Sequence, residues 1–549
     1  MQTPSVLIVG AGPTGLVLGL TLAQNGIAIR IVDKLPEFPP GSRGTGLMPR
    51  SLEVHKFLGT YEDIKSAGLS GSNFHARMYP IGSGSENYKV SNLSVPLEPA
   101  DATPITTYVL IGQDTQTEIL RSHLAKYGVN VEFGTELVSF EQEADHVAVR
   151  LRKSQDGEER GEDVKFQYIV GADGAHSVVR KGLDMTFLGE TRASENMSVG
   201  DIYVEDGFLE PNKFHIWGEA STQMLAIRST EIPKKYNFAC SGPQFDHNAL
   251  SSSREALLKA FAQISGRNDI PWGNISWVSH YRPNIRMVDR FSSGRVFVAG
   301  DAAHVHSPAG GQGMNSGCLD AFNLGWKLAL AVKGFSKENL LESYDAERLP
   351  VIATMLQLTT KIHRTMYTAG TAEEGFNRDG NLNQLGVNYR SSAVVVDERS
   401  VKAHLSNPYE TEPGSVLSAG DRAPDAGGLK DLTKGGDAVH LFDVYRPTHH
   451  TVLVFSQESS EARTFLTAAT KAAKGAPLLT ALIVPPGASD LADINSDRIF
   501  VDQKGSAGKS YVIAEHTTVT AVVVRPDGVI GAIALTVGGL EKYFENILL

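Results

Sequence analysis

The sequence has little cysteine, with Cys240 and Cys318 the only two among 549 residues. This excludes a disulfide framework and a cysteine-rich zinc or iron–sulfur centre, and no metal site is predicted. So few cysteines fit a reducing compartment, so the chain is expected to be cytoplasmic. Net positive charge is also missing, since the formal net charge is −11. A surface for nucleic acid is therefore not expected, because nothing would neutralise the phosphates.

A long uninterrupted apolar run is missing as well. Residues 4–29 carry no charge and are numerous enough to cross a bilayer. Glycines and a proline interrupt this stretch, however, and no basic segment precedes it. We interpret it as a buried strand at 5–9, a glycine turn and a helix at 15–25, and we predict no membrane span.

The composition, with 41% hydrophobic and 21% charged residues, is that of a globular protein, and the chain is too long for one core. Short alternating strands between 195 and 285 favour a mostly antiparallel sheet. Residues 368–420 are rich in Gly, Asn, Ser and Glu and favour a linker or a long wrapped loop. The predicted organisation has four parts: a first α/β domain (1–75, 105–190 and 285–367), a sheet domain (76–104 and 191–284), a linker (368–418) and a C-terminal α/β unit (419–549).

The first chemical motif is the sequence GAGPTG at residues 10–15, between a strand and a helix. Gly10 permits the tight turn, Gly12 lets main-chain N–H groups approach a pyrophosphate, and Gly15 lets the helix pack on the strand. Asp33 ends the second strand, 18 residues after Gly15. Its carboxylate can accept hydrogen bonds from an adenosine ribose. This context favours a Rossmann-type dinucleotide site over a purely structural turn.

Two more glycine-rich motifs follow buried strands. Residues 171–177 read GADGAHS, and residues 300–315 read GDAAHVHSPAGGQGMN. Asp301 comes directly after a strand, where a carboxylate can bind a polyol. The glycines that follow open a helix, so their N–H groups can meet a flat anionic edge. His304 is expected to order this loop.

Together these motifs resemble the FAD-dependent aromatic hydroxylases, the p-hydroxybenzoate hydroxylase-like flavoprotein monooxygenases, over residues 4 to 360. The sequences PRSLE at 49–53 and DAFNLGWKL at 320–328 extend the match, as do Tyr344, Glu347 and Arg348. Residues 420–425 and 525–528 resemble the thioredoxin-like appendage of the phenol hydroxylase and polyketide hydroxylase branch. The appendage has no C-x-x-C, so it cannot perform thiol–disulfide chemistry.

The resemblance implies an α/β fold with a Rossmann-type FAD-binding domain, an interleaved, mostly antiparallel substrate-binding sheet and a C-terminal thioredoxin-like α/β domain. It also implies FAD as cofactor and NADPH or NADH as co-substrate. Gln113 is the expected FAD-contacting glutamine, and Gln116 is the alternative. The implied FAD-contacting residues are Gly12, Pro13, Thr14, Gly15, Asp33, Lys34, Arg43, Gln113, Asp173, Gly300, Asp301, Pro308, Gly311, Gly313, Met314 and Asn315.

The implied reaction is NAD(P)H- and O2-dependent hydroxylation of a small phenolic substrate through a flavin C4a-hydroperoxide. The phenol hydroxylase branch has an acidic residue before the PRSLE segment that serves substrate activation. Thr45 stands at that position here and cannot act as a base. The identity of the base is therefore open.

Side chains from the middle sheet are candidates for the missing roles. His215 and Trp217 are two residues apart, hence on one face of a strand, and Arg228 can bind a carboxylate or phenolate. The predicted catalytic residues are His215, Arg228, Tyr203 and Pro308, and the predicted substrate contacts are Thr45, Trp217, His215 and Arg228. For the sheet residues, a packing or solvent-facing role is the alternative.

Two other functions fit the same motifs. One is a flavin oxidase or dehydrogenase of the same fold, and the other is a non-catalytic flavin-binding protein. A flavin halogenase is disfavoured, because the sequence lacks a G-W-x-W-x-I-P segment. A homodimer is an expectation from the family.

Overall fold

The structure is a computed structural model. It has three units, each built on one large β-sheet. No helix in the described part of the chain is both long and apolar enough to cross a bilayer. The structure describes residues 4–91, 97–155, 158–192, 195–368, 380–399, 407–409, 416–491, 493–513 and 519–549.

The first unit is built on a six-stranded sheet whose central strand, Val6–Val9, is buried along its whole length. Its neighbours pair with it in parallel, as expected for an apolar strand covered on both faces. The antiparallel edge strand Ser292–Ser293 is the exception. In spatial order the strands are Ser292–Ser293, Val296–Val298, Tyr168–Gly171, Val6–Val9, Ile29–Val32 and Val131–Glu132.

Helices and small sheets surround this core. The helices are Pro13–Gln24, Pro49–Leu58, Tyr61–Ala67, Gln113–Ala125, Val178–Gly182, Gly313–Val332 and Glu338–Thr368. The small sheets pair Thr135–Gln142, Val147–Gln155 and Glu158–Phe166; Leu188–Thr191, Asn284–Met287 and His304–Val305; and Leu69–Ser70 with Val109–Leu110.

The second unit is a seven-stranded sheet with one parallel pair, Lys213–Glu219 beside His75–Tyr79. Its two faces differ in what covers them. One face packs against the helix Arg254–Ser265, and the other meets Met48 and Leu110 of the first unit. In spatial order the strands are Trp272–Tyr281, Met197–Val204, Lys235–Ser241, Gln223–Ser229, Lys213–Glu219, His75–Tyr79 and Lys89–Ser91.

The C-terminal unit has an eight-stranded mixed sheet. Its centre joins a parallel pair, His450–Ser456 and Leu478–Val484, to an antiparallel pair, and helices Ser459–Ala472 and Val537–Ile547 pack on it. Seven of the eight strands lie within residues 419–549, the segment for which the family resemblance implies a thioredoxin-like domain. In spatial order the strands are Val396–Asp397, Ile530–Ala534, Val519–Val524, His450–Ser456, Leu478–Val484, Arg498–Asp502, Leu429–Asp431 and Ala438–Val439.

A buried charge cluster joins the C-terminal unit to the first unit. Arg525 donates to both carboxylate oxygens of Glu347 (2.8 and 2.9 Å), and the side chains of both residues are fully buried. Lys327 and Asn323 donate to the same carboxylate. These residues come from motifs far apart in sequence, so the C-terminal unit is packed as an integral part of the molecule.

Candidate functional site

The three glycine-rich motifs meet at the carboxyl edge of the six-stranded sheet. A Cβ on Gly10, whose φ is +104°, would overlap the carbonyl of Ala172, so the first and second motifs are in direct contact. A Cβ on Gly300 would lie 2.6 Å from Oγ1 of Thr14 and could not be accommodated. The first and third motifs are therefore also in contact, and three distant stretches form one cleft.

The first motif leaves a cradle at its centre. A Cβ on Gly12 would meet no atom within 4 Å, and Gly12 is the N-cap of the helix Pro13–Gln24, whose free N–H groups face the same space. Asp33 lies next to it, with Oδ2 accepting the N–H of Ala11 at 2.9 Å. Lys34 is exposed. These features fit a pyrophosphate and an adenosine ribose.

Asp301 faces the cleft. Its side chain is open to solvent, while the protein around it raises the pKa of its carboxyl by desolvation. No described residue forms a hydrogen bond with this carboxylate. A solvent-accessible carboxylate at the edge of the sheet, which no described residue uses, fits a polyol ligand such as the ribityl chain of FAD.

The second motif is fastened to the third by Arg180. Its guanidinium donates to the carbonyl oxygens of Ala302 (2.9 Å) and Ala175 (2.8 Å). Asp173 accepts the N–H of Val178 at 2.7 Å through Oδ2, while its buried Oδ1 has no partner among the described residues. Burial raises the pKa of Asp173.

Residues 308–315, the flavin loop, turn from Pro308 into the helix Gly313–Val332. Gly310 and Gly311 have φ of +79° and +64°, values that favour glycine. The Asn315 amide donates to the carbonyls of Gly46 and Gly311 and accepts the N–H of Met48 at 2.8 Å. The loop is thereby clamped to the segment that carries Thr45.

His304 orders the start of the third motif, as predicted. Its Nε2 donates to Oδ2 of Asp320 at 2.7 Å, and the same oxygen accepts the N–H of Gly300. Both side chains are completely buried. His304 therefore helps to fix the position of the loop that begins at Gly300.

The two candidate glutamines lie in different surroundings. Gln113 is the first residue of the helix Gln113–Ala125. If Gly44 carried a Cβ, that atom would lie 3.6 Å from Oε1 of Gln113 and 3.3 Å from Sδ of Met314. Gln116 is fully buried, and its Nε2 lies 3.3 Å from Nε2 of His55. Gln113 thus lies beside Gly44 and Met314, whereas Gln116 lies in the core, and the role predicted for Gln113 stays a prediction.

Asp201 is a site residue that the sequence analysis missed. Its buried Oδ2 accepts the main-chain N–H of Ser42 and the indole N–H of Trp277, both at 2.8 Å. Arg43 lies over the Trp277 ring, 5.8 Å from its centroid. The Asp201 carboxylate thus joins the loop that carries Arg43 to the sheet. The signal in the sequence is that Asp201 is the one charged residue in the strand Met197–Val204, which is otherwise suited to burial.

The sheet face toward the flavin loop is mostly apolar. Phe214 and Ile216 pack there against Met48, whose N–H is held by Asn315. Arg228 is the cross-strand partner of Phe214, is buried, and holds its guanidinium 5.7 Å from the Phe214 ring centroid. One buried cation in an apolar wall suits an aromatic ligand that carries negative charge.

The prediction that His215 and Trp217 line this chamber is wrong in the structure. Trp217 belongs to the cluster on the opposite face, with Phe261 of the covering helix, and His215 stacks on Trp217 and Tyr79. Side chains two apart share a face, but here it is the face that packs on the helix. Both residues therefore stabilise the sheet.

The other predicted residues fall in two places. Thr45 and Pro308 flank the cleft, with the carbonyl of Pro308 accepting the N–H of Gly311 at 3.1 Å. Tyr203 is the cross-strand partner of Lys235, and no described residue forms a hydrogen bond with its hydroxyl. Its strand also carries Asp201, two residues away and therefore on the same face of the sheet. A Cβ on Gly313 would lie 2.6 Å from Nε2 of His306.

A Rossmann cleft built from three glycine-rich motifs defines a dinucleotide-binding enzyme, and comparison with known proteins gives the family. The family model described as "FAD binding domain" matches residues 3–359. A flavin-dependent monooxygenase of Mycobacteroides abscessus is 37% identical, over 99% of this chain and 100% of that protein. The pentachlorophenol 4-monooxygenase of Sphingobium chlorophenolicum is 28% identical, over 98% and 94%. The chain belongs to this family of FAD-dependent monooxygenases, which confirms the predicted p-hydroxybenzoate hydroxylase-like membership.

Solved structures confirm the fold. The flavin-dependent monooxygenase PieE, determined with FAD and substrate, has a TM-score of 0.83 at 22% identity and covers 99% of this chain and 98% of its own. Aklavinone-11 hydroxylase, determined with FAD and aklavinone, has a TM-score of 0.79 at 22% identity and covers 99% and 100%. The predicted fold class, with its FAD-binding domain, is therefore correct.

Proposed function

We propose that this protein hydroxylates a phenolic ring, using NADPH or NADH as electron donor and O2 as oxidant. The observation that carries the proposal is the cleft in which the motifs around Gly12, Asp173 and Asp301 come together. Its cradle and its unused carboxylate match the pyrophosphate and the ribityl chain of FAD. Bound FAD supplies the redox chemistry that passes electrons from the nicotinamide to oxygen.

The residues of the chain would bind FAD, orient its ring and shield the site from water. The N–H groups at Gly12 and the helix behind it would hold the pyrophosphate, Asp33 the adenosine ribose, and Asp301 the ribityl hydroxyls. The flavin loop would present main-chain N–H groups to the ring edge, where they stabilise negative charge. Gln113 and Met314 would lie beside the ring.

The substrate would lie between the flavin loop and the apolar sheet face. Phe214 and Ile216 would exclude water from the ring, which limits wasteful release of hydrogen peroxide. Arg228 would favour the phenolate over the phenol, because an opposite charge nearby lowers the pKa of an acid. Relatives named for pentachlorophenol and for 6-methylpretetramide support a phenolic substrate.

We also propose an oligomeric state and a location. A homodimer rests on the family resemblance, and a cytoplasmic location rests on the scarcity of cysteine.

The test is a substrate panel with isotopically labelled O2. The purified protein, saturated with FAD, is incubated with NAD(P)H and a series of hydroxybenzoates, phenols and polycyclic phenols. We expect at least one compound to accelerate NAD(P)H oxidation and to gain one labelled oxygen. Hydrogen peroxide without labelled product would favour an oxidase. Flavin that NAD(P)H never bleaches would favour a non-catalytic flavin protein.

A further inference from the structure

Two short stretches from the region predicted to be a linker, residues 382–389 and 407–409, pack behind the flavin loop; we name them the strap. Leu382 and Tyr389 are almost fully buried, and so is Tyr409. The two stretches are joined through Asn388, whose N–H donates to the carbonyl of Pro408 at 3.0 Å. The strap is therefore a packed part of the first unit.

The strap reaches the flavin loop through Gln312. The Tyr409 hydroxyl donates to Oε1 of Gln312 at 2.7 Å. The Gln312 amide nitrogen donates to the carbonyls of Leu382 (3.1 Å) and Gly310 (2.7 Å). One donor on Oε1 and two acceptors around Nε2 occupy both amide hydrogens and one lone pair of the oxygen, which fixes the orientation of the amide.

Further contacts fasten the strap at the helix behind the loop. Gln384 donates to Oγ of Ser316 at 3.2 Å, and Arg348 donates to the Tyr389 hydroxyl at 3.0 Å. Burial raises the pKa of Tyr409, so its hydroxyl stays protonated and remains a donor across the neutral range.

The flavin loop needs such support because of its composition. Gly310, Gly311 and Gly313 give it more conformational freedom than other residues would, so holding the loop in one shape costs more backbone entropy. Gln312 is the long polar side chain among these glycines. Holding its amide holds the main chain on either side, including the N–H groups at the start of the helix.

We propose that the strap is a positioning device, in which Tyr409 acts through Gln312 to set the shape of the loop that receives the flavin ring. This inference rests on the proposed function, because the loop has this role only if FAD binds in the cleft. Tyr409 does not touch the reacting atoms and is a positioning residue.

The test replaces Tyr409 by Phe, which removes one hydroxyl and keeps the ring. We expect apoprotein carrying Tyr409→Phe to bind FAD about five- to tenfold more weakly, the effect of losing one buried hydrogen bond. The reduction potential of the bound flavin should become more negative, because loosened N–H groups stabilise the reduced ring less. A larger share of NAD(P)H electrons should appear as hydrogen peroxide.

The matched control is Tyr511→Phe. Tyr511 is a buried tyrosine of the C-terminal unit, and its hydroxyl donates to the carbonyl of Pro424 at 2.8 Å and is also hydrogen-bonded to the Tyr445 hydroxyl. This variant should lose thermal stability but keep the FAD dissociation constant and flavin potential of the wild type. Equal effects of the two substitutions on both quantities would overturn the proposal.

A second variant tests whether Tyr409 acts through Gln312, so the result does not depend on Tyr409→Phe alone. Gln312→Met removes the amide and keeps the length of the side chain, so adding Tyr409→Phe to it should weaken FAD binding no further. Additive losses would also overturn the proposal. Wild-type protein that binds no FAD would instead refute the proposed function, so the two failures are distinguishable.

Discussion

The Arg348 guanidinium and the Asp320 carboxylate form an ion pair inside the protein, with Nε 2.7 Å from Oδ1 and both side chains completely buried. Oδ2 of Asp320 accepts from His304 and from the N–H of Gly300. Burial alone would raise the pKa of Asp320, but Arg348 and His304 hold it at about 2. One carboxylate thus fixes the third motif to two helices.

We expect Arg348→Met to destabilise the apoprotein by about 3–5 kcal/mol, because it leaves a buried carboxylate without its cation. Urea unfolding of apoprotein measures this, since bound FAD would add stability of its own. Arg152→Ala is the control. Arg152 pairs with Glu136 on an exposed strand, and its loss should leave the stability close to that of the wild type, because solvent screens an exposed ion pair. A comparable loss in both variants would contradict the burial argument.

Two glycines of the first motif should respond to alanine in opposite ways. Gly12 has φ −71° and ψ 178°, which alanine adopts readily, and its Cβ would point into open space. Gly12→Ala should therefore leave the apoprotein within about 1 kcal/mol of the wild type while obstructing the pyrophosphate. The FAD dissociation constant, from quenching of flavin fluorescence, should rise sharply.

Gly15→Ala should fail at the folding step. Its Cβ would overlap the carbonyl oxygen of Gly10, which is main chain and cannot swing aside. A loss of about 1–3 kcal/mol of apoprotein stability is expected. If Gly12→Ala bound FAD normally, the cradle would not be the pyrophosphate site.

Predicting these motifs from sequence succeeded because their constraint is local. Gly12 is required by an opening and Gly15 by a clash with Gly10, both within one strand–turn–helix, and that pattern is visible in the chain itself. Gly10 also has a local requirement, its φ of +104°, although the main chain that excludes a side chain there belongs to Ala172 of the second motif. The ordering role of His304 could be predicted for the same reason, because its partner Asp320, on the helix that follows, is only 16 residues away.

The choice of sheet face was not predictable, because both faces are apolar. Alternation correctly placed His215 and Trp217 together, but Phe214 and Ile216 on the opposite face are equally suited to burial. The contact between Gln312 and Tyr409 spans 97 residues, and the stretch that carries Tyr409, residues 368–420, has little periodicity. Long-range hydrogen bonds of this kind leave no local pattern.

His450 gives the molecule a sensitivity to acid. It is fully buried, with Nε2 3.1 Å from the Tyr543 hydroxyl, and burial, with the nearby Arg525 charge, lowers its pKa to about 3. The unfolded chain takes up the proton near pH 6.5. Stability from the neutral imidazole is therefore complete above pH 6.5 and is lost as the pH falls from 6.5 toward 3.

Urea unfolding of the wild type and His450→Gln between pH 8 and pH 4 measures this loss. The stability advantage of the wild type should shrink by up to about 1 kcal/mol per pH unit below pH 6.5, because only its unfolded state gains the proton. His176→Gln, at an exposed position, should leave the pH profile unchanged. An advantage that stays constant over the range would show that the buried imidazole does not control the acid limb.

Asp301 and Thr45 both border the cleft, yet their substitution should affect FAD unequally. Asp301 offers a carboxylate that no described residue uses, whereas the Thr45 segment is held through main-chain groups on either side of the threonine, the carbonyl of Gly46 and the N–H of Met48. Asp301→Ala should weaken FAD binding about 10- to 100-fold, the cost of losing hydrogen bonds to a charged group. Thr45→Ala should retain FAD, because it leaves those main-chain groups in place.

The measurement is the flavin that remains bound after gel filtration, followed by titration of the apoproteins with FAD. Asp301→Asn separates charge from shape, because the amide keeps one acceptor oxygen at the same place, and it should fall between Asp301→Ala and the wild type. Equal retention of flavin by Asp301→Ala and Thr45→Ala would remove the ribityl role from Asp301. The cleft would then have to hold this part of FAD through its main-chain groups, and the Asp301 carboxylate would make no contribution to binding.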